Sequence, residues 1–236
     1  LFRSATSVSS KCIHLEETEG ALNHFGAMAY PIYQSATYAH PGVGQSTGYD
    51  YSRLQNPTRE HLEKTVASLE NGIDALAFSS GMAAITLMME LFKPGDHLIV
   101  DADLYGGSIR LFNHVSEKNG IEFSSVDCHK ENVAAYIREN TKAVYIETPT
   151  NPMMNVTDIK ALAEITKKHN ILLIVDNTFL SPYFQNPLNL GVDIVVHSGT
   201  KYLGGHNDTL AGFLVTNRED ISERFRFLIK TTGAGL

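Results

Sequence analysis

Six short apolar runs, at residues 75–78, 97–101, 121–126, 143–147, 171–177 and 194–196, constrain this chain more than any other feature. Runs of this length, rich in β-branched residues and bounded by turn formers, read as strands buried on both faces. Helix-patterned stretches lie before and between them. One opens at Pro57-Thr58-Arg59-Glu60, carries Leu62, Val66 and Leu69 on one side, and stops near Asn71-Gly72. Others are expected from about Ser80 to Phe92 and over 108–118, 131–140 and 158–169. Alternation of this kind implies an α/β domain: a mostly parallel sheet with right-handed crossovers and helices on both faces. In such sheets chemistry gathers where strands end.

Composition closes off several classes. With 236 residues, 43% of them hydrophobic, the chain can bury one sizeable core. Its net charge of −7 and the absence of any Lys/Arg cluster argue against a nucleic-acid partner. No run of about 18 apolar residues is available for a membrane helix. Cys12 and Cys128 lack C-x-x-C spacing, so neither a disulfide framework nor a metal site is expected, and a reducing cytoplasm fits. His206 has no second ligand at zinc spacing.

The first 55 residues read differently from the rest. The opening LFRSATSVSSK is Ser-rich with Arg3 and Lys11 and no acid; it lacks an amphipathic pattern long enough for a transit peptide, and a flexible end is the reading adopted. Residues 15–48 have no helical or strand period and carry Gly26, Pro31, Pro41, Gly42, Gly44 and Gly48. This is an extended arm. It cannot bury Tyr30, Ile32, Tyr33 and Tyr38 on itself, so it is expected to lie across a neighbouring subunit. The division is then an arm at 1–55 and an α/β domain at 56–236. The run GVGQSTG is spaced G-x-G-x-x-x-G and follows no apolar strand, which excludes a nicotinamide-binding Rossmann turn.

Lys201 follows the 194–196 run through Ser198 and Thr200. It is either a solvated lysine or an amine placed to form a Schiff base. Asp176 ends the 171–177 run, as a turn residue or as the acid beside a cofactor ring nitrogen. Gly81 and Met82 begin a helix whose free N–H groups favour an anion, although Ser79 or Ser80 as a plain cap reads equally well. Tyr105, before Gly106-Gly107, is a packed core ring or one that lies flat on a ligand with its hydroxyl free to carry a proton. Asn151, bracketed by Pro149 and Pro152, is part of a rigid turn or an amide donor to a cofactor or carboxylate oxygen. Tyr51 and Arg53 are a rim pair or two donors to a phosphate.

Together, Tyr51-Ser-Arg53, Ser80-Gly-Met82, Tyr105-Gly-Gly107, Glu147-Thr-Pro-Thr-Asn-Pro152, Asp176-Asn-Thr178 and Ser198-Gly-Thr-Lys201-Tyr-Leu-Gly-Gly-His-Asn-Asp208 resemble the Cys/Met-metabolism family of pyridoxal-phosphate enzymes. Cystathionine γ-synthase, cystathionine β- and γ-lyases and methionine γ-lyase are members. The resemblance implies a fold-type-I transferase large domain holding pyridoxal 5'-phosphate. In it Lys201 binds the cofactor as a Schiff base and, once freed, acts as a base. Asp176 keeps the ring nitrogen protonated, Tyr105 stacks on the ring, and Thr178 touches the ring or supports Asp176. Ser198, Thr200, Gly81 and Met82 fix the phosphate, joined by Tyr51 and Arg53 from an adjacent subunit, which implies a homo-oligomer, a dimer of dimers, with shared sites.

The implied substrates are sulfur amino acids, in trans-sulfuration. The run 203–212 is nearer the synthase and β/γ-lyase branches than methionine γ-lyase, and lyase and synthase share every residue named. A fold-type-I aminotransferase and a non-catalytic cofactor-binding remnant are the alternatives. Members carry a further C-terminal domain that supplies the arginine for the substrate carboxylate. No arginine here matches that anchor, so it is expected beyond Leu236.

Overall fold

The computed structural model describes residues 7–13, 27 and 29–236. Among them the apolar runs become strands of one seven-stranded sheet: β1 (Asp74–Phe78), β2 (His97–Asp101), β3 (Glu122–Val126), β4 (Thr141–Glu147), β5 (Leu172–Asp176), β6 (Ile194–Ser198) and β7 (Gly212–Thr216), in the order β1-β7-β6-β5-β4-β2-β3. From β6 to β3 all pairings are parallel. β7 is the exception, running antiparallel to both β6 and β1.

Period-two alternation sorts the strand side chains onto two faces. Leu76, Phe78, Ile174, Ile194, Val196 and Leu214 point to one. Ala75, Ala77, Leu173, Val175, Val195 and Phe213 point to the other. Both faces are covered, as a parallel sheet requires. The helices are α1 (Val8–Lys11), α2 (Pro57–Glu70), α3 (Gly81–Met89), α4 (Gly106–Leu111), α5 (Ile159–His169), α6 (Ser181–Phe184) and α7 (Glu219–Thr232). Ala84, Ile85 and Met88 of α3 and Ile221 and Phe225 of α7 cover the first face. Val66 and Ala67 of α2 and Ile159, Leu162 and Ala163 of α5 cover the second. Each fully buried aliphatic side chain is worth about 1.5–3 kcal/mol, so this two-sided burial outweighs the propensities of the individual helices.

The caps explain the helix limits. Asn56 accepts from the N–H groups of Thr58 and Arg59 with Pro57 in the first turn, and α2 ends on Asn71 in the left-handed region. Asp158 caps α5 through the Ala161 N–H at 3.0 Å, and Asn170, again left-handed, ends it. Two expected helices differ. The stretch 131–140 forms only a single 3₁₀ turn over Val133–Tyr136, in which Val133 alone is buried. With one apolar anchor there is no buried stripe to support a helix, and Arg138 instead donates to Glu122 and Ser124 while its own N–H goes to Thr141. The 108–118 helix starts earlier, as α4, and widens to a π turn over Phe112–Ser116.

Residues 29–55 have little regular structure and fold back on themselves: Thr37 bridges Tyr51, the Tyr38 N–H reaches the Asp50 carbonyl at 3.1 Å, and the Ser52 N–H reaches that of Ala36 at 2.9 Å. Thr58 of α2 holds this segment, accepting from the Tyr33 N–H at 2.8 Å and donating to the Pro31 carbonyl at 3.0 Å. The first half of the expected arm, and all but the end of the Ser-rich opening, lie outside the described residues. Among those described, no helix is long and apolar enough to cross a membrane. No cluster of three or more His, Cys, Asp or Glu is placed to hold a metal ion there.

Candidate active site

Register brings Glu147, Asp176 and Val196 side by side at the ends of β4, β5 and β6. By the alternation of those strands all three face the α3 side of the sheet. Above them lies a cavity of about 710 Å³. Nine of the eleven residues singled out from the sequence line it: Gly81 and Met82 from the start of α3; Tyr105 and Asn151 from the loops after β2 and β4; Asp176 and Thr178 from the end of β5; Ser198, Thr200 and Lys201 from the end of β6.

One end suits an anion. Ser80 caps α3 by accepting the Ala83 N–H at 3.1 Å, leaving the N–H groups of Gly81 and Met82 without partners inside the helix. Gly81 is pressed against β6: a Cβ there would stand 3.0 Å from the Ser198 Cβ. Helix start and Ser198 hydroxyl therefore share one small space, where the helix dipole favours negative charge. The Thr200 hydroxyl is already committed to both backbone groups of Ala211, at 3.2 and 3.3 Å, which fixes the loop carrying Lys201.

The floor is Asp176. It accepts the Thr178 N–H at 3.0 Å and the Tyr145 hydroxyl at 3.4 Å. Burial pushes its pKa up, with the Thr178 hydrogen bonds and nearby His197 opposing the shift. Such a carboxylate is short of positive charge, so a protonated ring nitrogen in the cavity would match it. Thr178 accepts the Ser198 N–H at 2.8 Å, locking the Asp176 turn to β6. On the reverse face the buried Glu70 carboxylate receives Asn177 at 2.8 Å and lies 2.6 Å from His197 Nε2. Anion cradle, buried carboxylate and primary amine together fit a phosphorylated pyridine aldehyde.

Sequence reasoning gave no separate role to Glu147 or Tyr145. Both share the face of Ala143 on a strand that ends in the expected loop, and that parity with Asp176 was the available signal. The Glu147 carboxyl is pushed up to about 8, first by burial and then by the charge of Asp176. An acid with a raised pKa binds its proton more tightly folded than unfolded, so this contribution is full below the ordinary carboxylate range and is lost as pH rises toward about 8. The cofactor-free protein should therefore lose thermal stability between about pH 4.5 and 8, and Glu147→Gln should flatten that part of the curve. An unchanged slope in the variant would assign the titration elsewhere.

Tyr51 and Arg53 do not join the cavity of their own chain. Both are exposed, the Arg53 guanidinium lies 5.4 Å from the Tyr51 ring centroid, and its Nη1 donates to the Lys230 carbonyl.

Lysine, buried carboxylate and helix N-terminus at the strand ends of this sheet define a fold-type-I, pyridoxal-phosphate-type α/β domain. A model of the family described as Cys/Met metabolism PLP-dependent enzyme matches residues 9–236, and the chain belongs to that family. It is 53% identical over 212 residues to a cystathionine gamma-lyase of Bacillus subtilis (strain 168), covering 89% of this chain and 56% of that relative. To a cystathionine gamma-synthase/O-acetylhomoserine (thiol)-lyase of the same organism it is 56% identical over 203 residues, covering 84% of this chain and 53% of the relative. The crystal structure of a cystathionine gamma-lyase from Lactobacillus plantarum complexed with L-serine superposes with a TM-score of 0.93 at 44% identity, over 98% of this chain and 60% of that one. The chain thus spans little more than half the length of the curated relatives it matches.

Proposed function

We propose that the full-length protein is a pyridoxal-phosphate-dependent enzyme that makes or breaks C–S bonds in sulfur amino acids, as a cystathionine lyase or synthase. The observation that carries this reading is the meeting of Lys201, Asp176 and the start of α3 in one cavity, on a chain more than half identical to relatives named for those activities. Bound at that site, the cofactor supplies an electron sink for the charge left at the substrate Cα. Lys201 would anchor the cofactor and would then serve as the base for the Cα proton. Asp176 would keep the ring nitrogen protonated. Tyr105 would contact the ring, Asn151 would donate to its phenolic oxygen, and Thr178 holds Asp176 in place. Gly81 and Met82 N–H groups and the Ser198 hydroxyl hold the phosphate, with Thr200 shaping the loop.

Tyr51 and Arg53, exposed and outside their own cavity, serve the phosphate of a second copy, with residues 1–55 forming an arm across it. The protein is then a homo-oligomer, a dimer of dimers, with shared sites. The arginine for the substrate carboxylate comes from outside residues 1–236. A reducing cytoplasm suits the two free thiols, Cys12 and Cys128.

The test uses the full-length protein supplied with pyridoxal phosphate. Thiol release from L-cystathionine identifies a lyase, and cystathionine formed from cysteine and an acylated homoserine identifies a synthase. Return of the cofactor in its amine form with a keto acid and no sulfur chemistry would instead make it an aminotransferase and overturn the reading.

A further inference from the structure

Resting on that reading, we propose that Glu147 is a positioning residue: its carboxyl ties the Tyr105 loop and the Asn151 loop into one frame around the cavity. The two loops leave different strands, β2 and β4. Tyr105 stands at the start of α4, a helix of six residues with no side-chain cap, so its N–H needs an acceptor from elsewhere. The residue is 45% exposed, too open for packing alone to set its place. Glu147 supplies the acceptor: Oε2 takes the Tyr105 N–H at 2.7 Å, and Glu147 itself closes β4, the strand that runs on into the Asn151 loop. The side chain is 5% exposed and lies at the in-register neighbour of Asp176, so the frame is fixed relative to the cavity floor.

A second tie runs parallel to the first, away from the floor. Thr150 donates its hydroxyl to the Asp103 carboxylate, Asn155 Nδ2 reaches the same oxygen at 3.3 Å, and the Asn155 N–H returns to Thr150 Oγ1 at 2.9 Å. These bonds join the outer parts of the same loops. Glu147 joins them where they meet the cavity, and its carboxyl takes the Tyr105 N–H. Removing it leaves the loops associated but frees the backbone that carries the Tyr105 ring.

Cofactor affinity is the measured quantity, read by titrating the cofactor-free chain with pyridoxal phosphate and following absorbance. Tyr105→Ala and Glu147→Ala are each expected to weaken binding about tenfold, and the double variant to stay near about tenfold rather than about a hundredfold, because both remove the same held ring. Glu147→Gln keeps an acceptor oxygen and should return affinity to within about threefold of the starting protein. A purely structural loss in Glu147→Ala would add to that of Tyr105→Ala, so additivity overturns the proposal, as does unaltered affinity in Glu147→Ala.

Amide hydrogen exchange on the unsubstituted protein requires no variant to fold. The Tyr105 amide should be protected, and exchange at open-loop rates would overturn the clamp. Failure of the unsubstituted protein to take up cofactor would defeat the proposed function, with the exchange result still deciding the clamp.

Discussion

Lys201→Ala should leave the protein folded and remove the visible absorbance band that develops when pyridoxal phosphate is added. The backbone around the residue is held without its side chain: the Lys201 N–H reaches the Ser198 carbonyl at 3.2 Å, the Gly205 N–H reaches that of Lys201 at 2.7 Å, and the Gly204 N–H reaches that of Gly199 at 2.8 Å. An exposed side chain removed from a turn fixed in this way costs little stability. Among the described residues Lys201 is also the one lysine lining the cavity, so no neighbouring amine there replaces it.

The full-length variant should then lose at least about a thousandfold in turnover, since a positioned base contributes about 10²–10⁴ and the covalent anchor is lost as well. Lys201→Arg should behave the same way, because it restores a cation without a usable amine. Spectra before and after cofactor, with urea unfolding as a check on the fold, decide the matter. A band of undiminished size in Lys201→Ala would place the cofactor on another lysine and reduce Lys201 to a solvated side chain.

The framework of this site was legible because strand ends were legible. Runs such as ILLIVDN read as central strands, so Asp176 falls at the C-terminal end of one, and the same argument places Lys201 just past β6. What periodicity could not supply was which strands are neighbours. Glu147 and Asp176 are far apart in sequence, and their adjacency is a product of the β4–β5 pairing. The run Gly212–Thr216 escapes local pattern for a related reason: it follows a glycine-rich loop, and its place between β6 and β1 is a long-range fact. The 131–140 stretch went wrong in the opposite sense. Local composition favoured a helix there, but the fold offers it one buried contact, and the side-chain bonds of Arg138 and Thr141 prevail.

Gly212→Ala should damage the anion end of the cavity from a position that touches no ligand. Gly212 opens β7 and pairs with Ser198 on one side and Phe78 on the other, between the strand that ends at Ser198 and the one that leads into Ser80 and Gly81. A Cβ there would stand 2.1 Å from the Ser80 carbonyl oxygen, 2.4 Å from its carbon and 2.7 Å from the Gly81 nitrogen. All three are backbone atoms, so no side chain can turn aside to make room. The residues that must move are the cap and first residue of α3, whose N–H groups the phosphate would use. Overpacking of this kind costs about 1–3 kcal/mol, and cofactor affinity should fall about tenfold or more as the donors shift. Gly106→Ala is the matched control, because a Cβ at Gly106 meets nothing within 4 Å; its unfolding curve in urea should be unchanged or slightly more stable. Stability and affinity have to be read together: a loss of stability alone would mean that β7 gives way while the start of α3 stays put, and the close contact at Gly212 would then have no bearing on how the phosphate is held.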